Sequence, residues 1–247
     1  NSINWGRIVA QIVYYFTAAV SLGGPQRAVS FVVPTGNFGD IFAGYAAKRM
    51  GLPIANLVIA TNSNDILART LETGSYETDG VVPTISPSMD IQVSSNFERL
   101  LFESLGRDAP ALKRLMDGLQ QSGAFTVPPL ALAVIREAFA AGRASEAETS
   151  ATIARTYKDA GYLLDPHSAV GVSVAEKLEL GIAPVVVLAT AHPAKFPIAV
   201  KAATAIEPAL PAWLSDLYER PERYDVLAND QGGVEAFIRA HSRAGRS

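Results

Sequence analysis

The chain contains no cysteine. That excludes disulfides, thiolate metal ligands and cysteine nucleophiles. Charge is sparse: 18% of residues are Asp, Glu, Lys or Arg, and the formal net charge is −3. A nucleic-acid-binding surface normally shows a basic excess, and none is present. No apolar run approaches the roughly 18 residues of a membrane span. No signal-peptide pattern precedes the first helical segment. The histidines, at 167, 192 and 241, lack the spacing of a metal site. The chain is rich in apolar residues instead, at 49% of 247 residues. That is ample for a packed core in one large domain or two small ones.

Strand and helix signals alternate. Residues 28–33 and 54–60 read as short apolar strands, and 184–189, "PVVVLA", as the strongest strand, a continuous run of the kind buried on both faces. Helical patterns cover 3–20, 40–50 and 65–73, the last two closed by Gly51 and Gly74. This alternation predicts an α/β fold, a parallel sheet covered by helices. From Ser95 to Gly161 the pattern is almost wholly helical and reads as a helical insertion between strands of one sheet. Ser145 and Glu148 stand there at capping-box spacing. The expected organisation is 1–94 as the first αβ part of a large domain, 95–161 as the insertion, and 162–247 as the remainder with a tail. The chain opens on Asn1 and enters at once a helix of core type, with Ile8, Ile12, Tyr15 and Ala19 at helical spacing. It reads as a piece of a longer protein.

The stretch "VPTGNFGD" (33–40) joins a strand to a helix through a glycine-containing turn. It is no P-loop: Gly39 and Gly44 have the spacing, but Tyr45 and Ala46 stand where a lysine and a hydroxyl are required. It also lacks the Gly-x-Gly-x-x-Gly dinucleotide fingerprint. What remains fits two readings. One is a cup of backbone N–H groups at Thr35, Gly36, Asn37, Phe38 and Gly39, holding a phosphate at the positive end of the Asp40 helix. The other is an ordinary strand-to-helix turn.

Six segments occur in order: "NSINWGRIVAQ" (1–11), "VPTGNFGDIFAGYAAKRMGLPI" (33–54), "ATNSNDIL" (60–67), "SPSMDIQVSSNFERLLFE" (86–103), "DPHSAVG" (165–171) and "LATAHPAKFP" (188–197). Together they resemble the threonine synthase family, pyridoxal-phosphate enzymes of the tryptophan-synthase-β fold type (fold type II). The resemblance runs from residue 1 to about residue 200. It implies that the 36–40 loop, Gly36, Asn37, Phe38, Gly39 and Asp40, holds the 5′-phosphate of pyridoxal phosphate. It implies that Thr190 faces the pyridine nitrogen. The matching Asn, Ser and Arg of relatives lie at the substrate's phosphate, which points to Asn1, Ser2 and Arg7, with Asn4 close by. An N-cap followed by a solvated arginine is the plainer reading of that same segment.

The family lysine that bonds the cofactor lies in a segment upstream of anything in this chain. The resemblance therefore implies a C-terminal portion that is inactive alone and needs the N-terminal portion of the same protein. The expected activity of the whole is conversion of O-phospho-L-homoserine and water to L-threonine and phosphate, in the cytoplasm, with no metal, nucleic acid or membrane involved. Two alternatives stay open: another enzyme of the fold type, such as a serine/threonine dehydratase, and a non-catalytic pyridoxal-phosphate binder. His192 is divided between the substrate site and a local loop bond. His167, with Asp165, reads as a helix-capping pair. Asn62 and Asn64 stand within reach of a ligand, with Asn64 or Asp65 the expected cap of the next helix.

Overall fold

The computed structural model describes residues 4–243. Two compact units divide it, Asn1–Pro208 and Ala209–Ser247. The first holds helix α1 (Trp5–Ser21), strand β1 (Val29–Pro34), α2 (Gly39–Arg49), β2 (Ile54–Thr61) and α3 (Ile66–Thr73). Then come β3 (Ser75–Glu77), α4 (Phe97–Ser104), α5 (Ala109–Ser122), β4 (Ala124–Thr126), α6 (Pro129–Ala138) and β5 (Ala140–Arg143). Helices α7 (Glu146–Ala160) and α8 (Pro166–Lys177), strand β6 (Val185–Val187) and α9 (Pro197–Thr204) complete it. The second unit holds α10 (Gln231–His241), whose N-cap Asp230 accepts from the Gly233 N–H.

The main sheet is parallel, in the order β5-β2-β1-β6. All of β1 is buried, which fits its largely apolar sequence; its one polar side chain, Ser30, accepts from Asn56 Nδ2 at 2.8 Å. Side chains alternate between the faces. Phe31, Val33, Leu57 and Ile59 join a core with Tyr15 of α1, Ile41 of α2 and Leu67 of α3. Val32, Val58 and Ala60 face the other way, into a core with Val170 and Val174 of α8. β3 and β4 form a separate antiparallel pair.

Two expectations need correction. The 95–161 stretch is not wholly helical: β4 interrupts it, and "AAGR" (140–143) is a strand that pairs with β2. That segment therefore contributes to the sheet rather than only standing between its strands. Nothing local marks "AAGR" as a strand, since it has no β-branched or aromatic residue. Its pairing with Val58–Thr61 decides its state. Likewise β6 is not buried on both faces. Among the described residues it lies at the sheet edge with β1 as its one neighbour, and Val185 is 42% exposed. Apolar character reports a preference for burial, not the neighbour that supplies it.

Several caps follow the sequence closely. Ser145 and Glu148 form a capping box at α7. Asp165 caps α8 by accepting from the His167 and Ser168 N–H groups. Asp65 stands at the N-cap position of α3, but its carboxylate makes no cap bond there. It takes Arg69 and Arg143 instead, at 2.8 and 2.6 Å.

Candidate functional site

In an open parallel sheet, ligands gather beyond the carboxyl ends of the strands, where the strand order reverses. Here the chain leaves β1 for β2 on one side, while β6 flanks β1 on the other. A cavity of about 730 Å³ opens at that point. Its walls include the 34–41 turn after β1, residues 188–191 after β6, and Arg7, Gln11 and Tyr14 from α1. Ser88, Met89, His167 and Lys195 also line it.

The turn has a distinctive backbone. Phe38 adopts a left-handed conformation, φ +64°, at the N-cap of α2. That is uncommon for a bulky residue. Its ring is fully buried against Phe97 and Phe139, so the side chain turns into the core while the backbone stays at the cavity. Thr35 is not part of the expected cup of donors, because its N–H is spent on the sheet, donating to Ala60 O at 2.8 Å. From Gly36 to Ile41, no backbone N–H donates to any acceptor among the described residues. A run of free donors at the start of an eleven-residue helix is a site for an anion. The carbonyls of the same turn are occupied. Gly36 O accepts from Ser94 Oγ at 2.7 Å, and Asn37 O from Asn96 N and Nδ2 at 3.1 and 2.9 Å.

Gly36 has a further reason to lack a side chain. A Cβ there would stand 2.6 Å from Ser88 O. The 86–90 loop therefore packs directly on the turn. That loop is held at both ends. Asp90 Oδ1 accepts from Asn62, Asn64 and Thr84 at 2.8, 3.0 and 2.6 Å. Ser88 N–H donates to His167 Nε2 at 3.1 Å. His167 must then carry its proton on Nδ1, which donates to Asp165 Oδ1 at 2.9 Å. Asn62 and Asn64 are thus loop braces and do not line the cavity.

The charge pattern favours an anion. Arg7 makes no ion pair among the described residues, and Lys195 none beyond a contact with the Phe196 ring. The carboxyl in the first turn of α2, Asp40, is raised by burial to about 6, a shift the Tyr15 hydroxyl opposes. One Asp40 oxygen, Oδ1, is buried without a partner among the described residues.

Most expected site residues converge here. Gly36, Asn37, Phe38, Gly39, Asp40, Thr190 and Arg7 all line the cavity. Asn4 does not; its side chain caps α1 by accepting from the Gly6 N–H at 2.8 Å. Asn1 and Ser2 lie outside the described residues. His192 is exposed and makes a local bond, accepting from Ala194 N–H at Nδ1. Gln11, Tyr14 and Lys195 were not singled out from sequence as site residues. The first two share the helical face of Arg7 at the four- and seven-residue spacing, a signal present in "RIVAQIVY".

Comparison with known proteins agrees with this geometry. The family described as "Threonine synthase, C-terminal" matches residues 168–238. The threonine synthase of Pseudomonas aeruginosa is 52% identical over 100% of this chain and 53% of its own length. A crystal structure of a pyridoxal-phosphate-bound threonine synthase from Brucella melitensis is 66% identical, with a TM-score of 0.93 over 98% of this chain and 52% of that one. A yeast threonine synthase structure is 41% identical, with a TM-score of 0.82 over 90% of this chain and 49% of that one. The chain spans about half the length of these relatives. That likeness runs over nearly all of its residues: the chain is similar throughout to threonine synthases, and residues 168–238 match the C-terminal model of that family.

Proposed function

We propose that the protein carrying this chain converts O-phospho-L-homoserine and water to L-threonine and phosphate with pyridoxal phosphate as cofactor, and that the cavity beyond β1 and β6 is part of its active site. The observation that carries this reading is the run of N–H groups from Gly36 to Ile41, at the head of α2, that have no partner among the described residues. A cofactor phosphate needs fixed donors and no magnesium, which matches the donor set. Thr190, beyond β6, offers a neutral hydroxyl suited to the ring nitrogen. The volume of about 730 Å³ has room for a cofactor and a small substrate together.

When bound, the cofactor supplies an aldehyde and an electron-accepting ring that acidify the substrate's carbon atoms. The chain's own residues have separable tasks. The 36–41 turn holds one phosphate by its backbone. Arg7 and Lys195 supply the nearby cations, and Arg7 gives a planar, permanently charged fork for the substrate's departing phosphate. Tyr14 and Gln11, on the same face of α1, flank it. His167 is neutral at Nε2 and engaged with Ser88, so it shapes the wall rather than trading protons. Cofactor attachment is assigned to a lysine outside this chain, and the chain alone is not expected to turn over. A cytoplasmic location belongs to the same reading.

The test is product formation by the full protein from O-phosphohomoserine with pyridoxal phosphate. Threonine and phosphate should appear in equal amounts. A folded, cofactor-bound protein that acts on serine or threonine but not on O-phosphohomoserine would refute the reading. Arg7→Ala should reduce kcat/KM by about 100-fold or more, while cofactor affinity changes little.

A further inference from the structure

We propose that Ser94 and Asn96, which do not line the cavity, are positioning residues that aim the backbone donors of the turn at its phosphate. The inference rests on the phosphate reading given above. A trans peptide is planar, with its C=O and the following N–H pointing in opposite directions. Ser94 Oγ draws the Gly36 carbonyl to one side, 2.7 Å away, so the Asn37 N–H must point to the other. Asn96 N and Nδ2 together hold the Asn37 carbonyl, so the Phe38 N–H points the same way. Neither N–H has a partner among the described residues.

The clamp is itself immobilised. Ser94 and Asn96 are 4% and 1% exposed. Ser94 N–H donates to Tyr76 Oη at 2.8 Å. Tyr76 is stacked on Phe97 and Phe125, with ring centroids 5.6 and 4.8 Å away. Asn96 Oδ1 accepts from Arg99 Nε at 3.0 Å. Donors fixed before the ligand arrives need no reordering when it binds, and that is where preorganisation acts. Asn37 would otherwise rest on a bulky residue at positive φ, a conformation that wants outside support.

The experiment compares pyridoxal phosphate with pyridoxal, which lacks the phosphate, on the full protein by fluorescence titration. The unsubstituted protein should hold pyridoxal phosphate far more tightly. Ser94→Ala and Asn96→Ala should each weaken pyridoxal phosphate by about fivefold, the worth of one net hydrogen bond, and leave pyridoxal within about twofold. The 31P resonance of the bound cofactor should shift in both variants. Ser94→Thr, which keeps the hydroxyl, should restore the phosphate preference. If Ser94→Ala does not fold, Asn96→Ala carries the comparison, because its backbone bond to Asn37 O survives. Equal loss for both ligands, or no loss for either, would overturn the positioning role. If the unsubstituted protein bound both ligands alike, the phosphate reading itself would fall.

Discussion

Gly36→Ala tests the packing on which the turn depends. A Cβ at 36 would meet Ser88 O at 2.6 Å and Met89 Cα at 3.4 Å. To restore ordinary contact, the turn and the 86–90 loop must part by roughly half an ångström or more. The obstacle is backbone, not the end of a flexible side chain. Ser88 is held by its N–H to His167 Nε2, and the loop is braced by Asp90. Overpacking of this kind costs about 1–3 kcal/mol. Replacing glycine by alanine also stiffens the unfolded chain, which returns about 0.4–1 kcal/mol. The net expectation is a loss of about 1–2 kcal/mol, a factor of about 5–30 in the folded-to-unfolded ratio. Gly80→Ala is the control, because a Cβ there meets nothing within 4 Å. Urea denaturation of the cofactor-free protein should show Gly36→Ala well below Gly80→Ala in midpoint at equal m-value. If the two variants unfold together, the loop does not rest on the turn and the account of Gly36 is wrong.

Other expectations follow from the same packing. In Gly44→Ala, helix propensity favours alanine by about 1 kcal/mol. Yet the new Cβ would lie 2.5 and 2.7 Å from ring carbons of Tyr15, which is pinned by its hydroxyl to Asp40 O. The variant should therefore lose stability by calorimetry, and Tyr15→Leu in the same chain should relieve part of the loss. Asp40 binds its proton more tightly folded than unfolded, so the stability it contributes is complete below its ordinary value of 3.8 and is lost as pH rises through about 6. Asp40→Asn should flatten the stability profile across that window and raise stability at neutral pH; an unchanged profile would remove Asp40 as its source. Asp165→Ala deletes the α8 cap and strands the buried His167 Nδ1–H and Ser168 hydroxyl. It should cost about 3 kcal/mol or more by denaturant titration, whereas a loss near that of an exposed cap would mean the His167 bond contributes little.

What the sequence determined by itself is local. The strand–turn–helix unit at 29–49, the capping box of Ser145 and Glu148 and the Asp165 cap are each written within a few residues, and each is present in the structure. Arg7, the 36–40 turn and Thr190 were legible as a candidate site because a shared motif order joined segments far apart in the chain, and all of them line one cavity in the structure. Tertiary structure decided what depends on partners distant in sequence. "AAGR" is a strand because β2 lies beside it, and β6 is the edge of the described sheet because no strand among the described residues lies beyond it. Gly36 reads from sequence as room for an anion, but it is also room for Ser88. Ser94 and Asn96 bond carbonyls 58 and 59 residues away. Local propensity acts over a turn or two of chain, whereas a hydrogen bond across such a separation exists only once the chain has folded to bring its ends together.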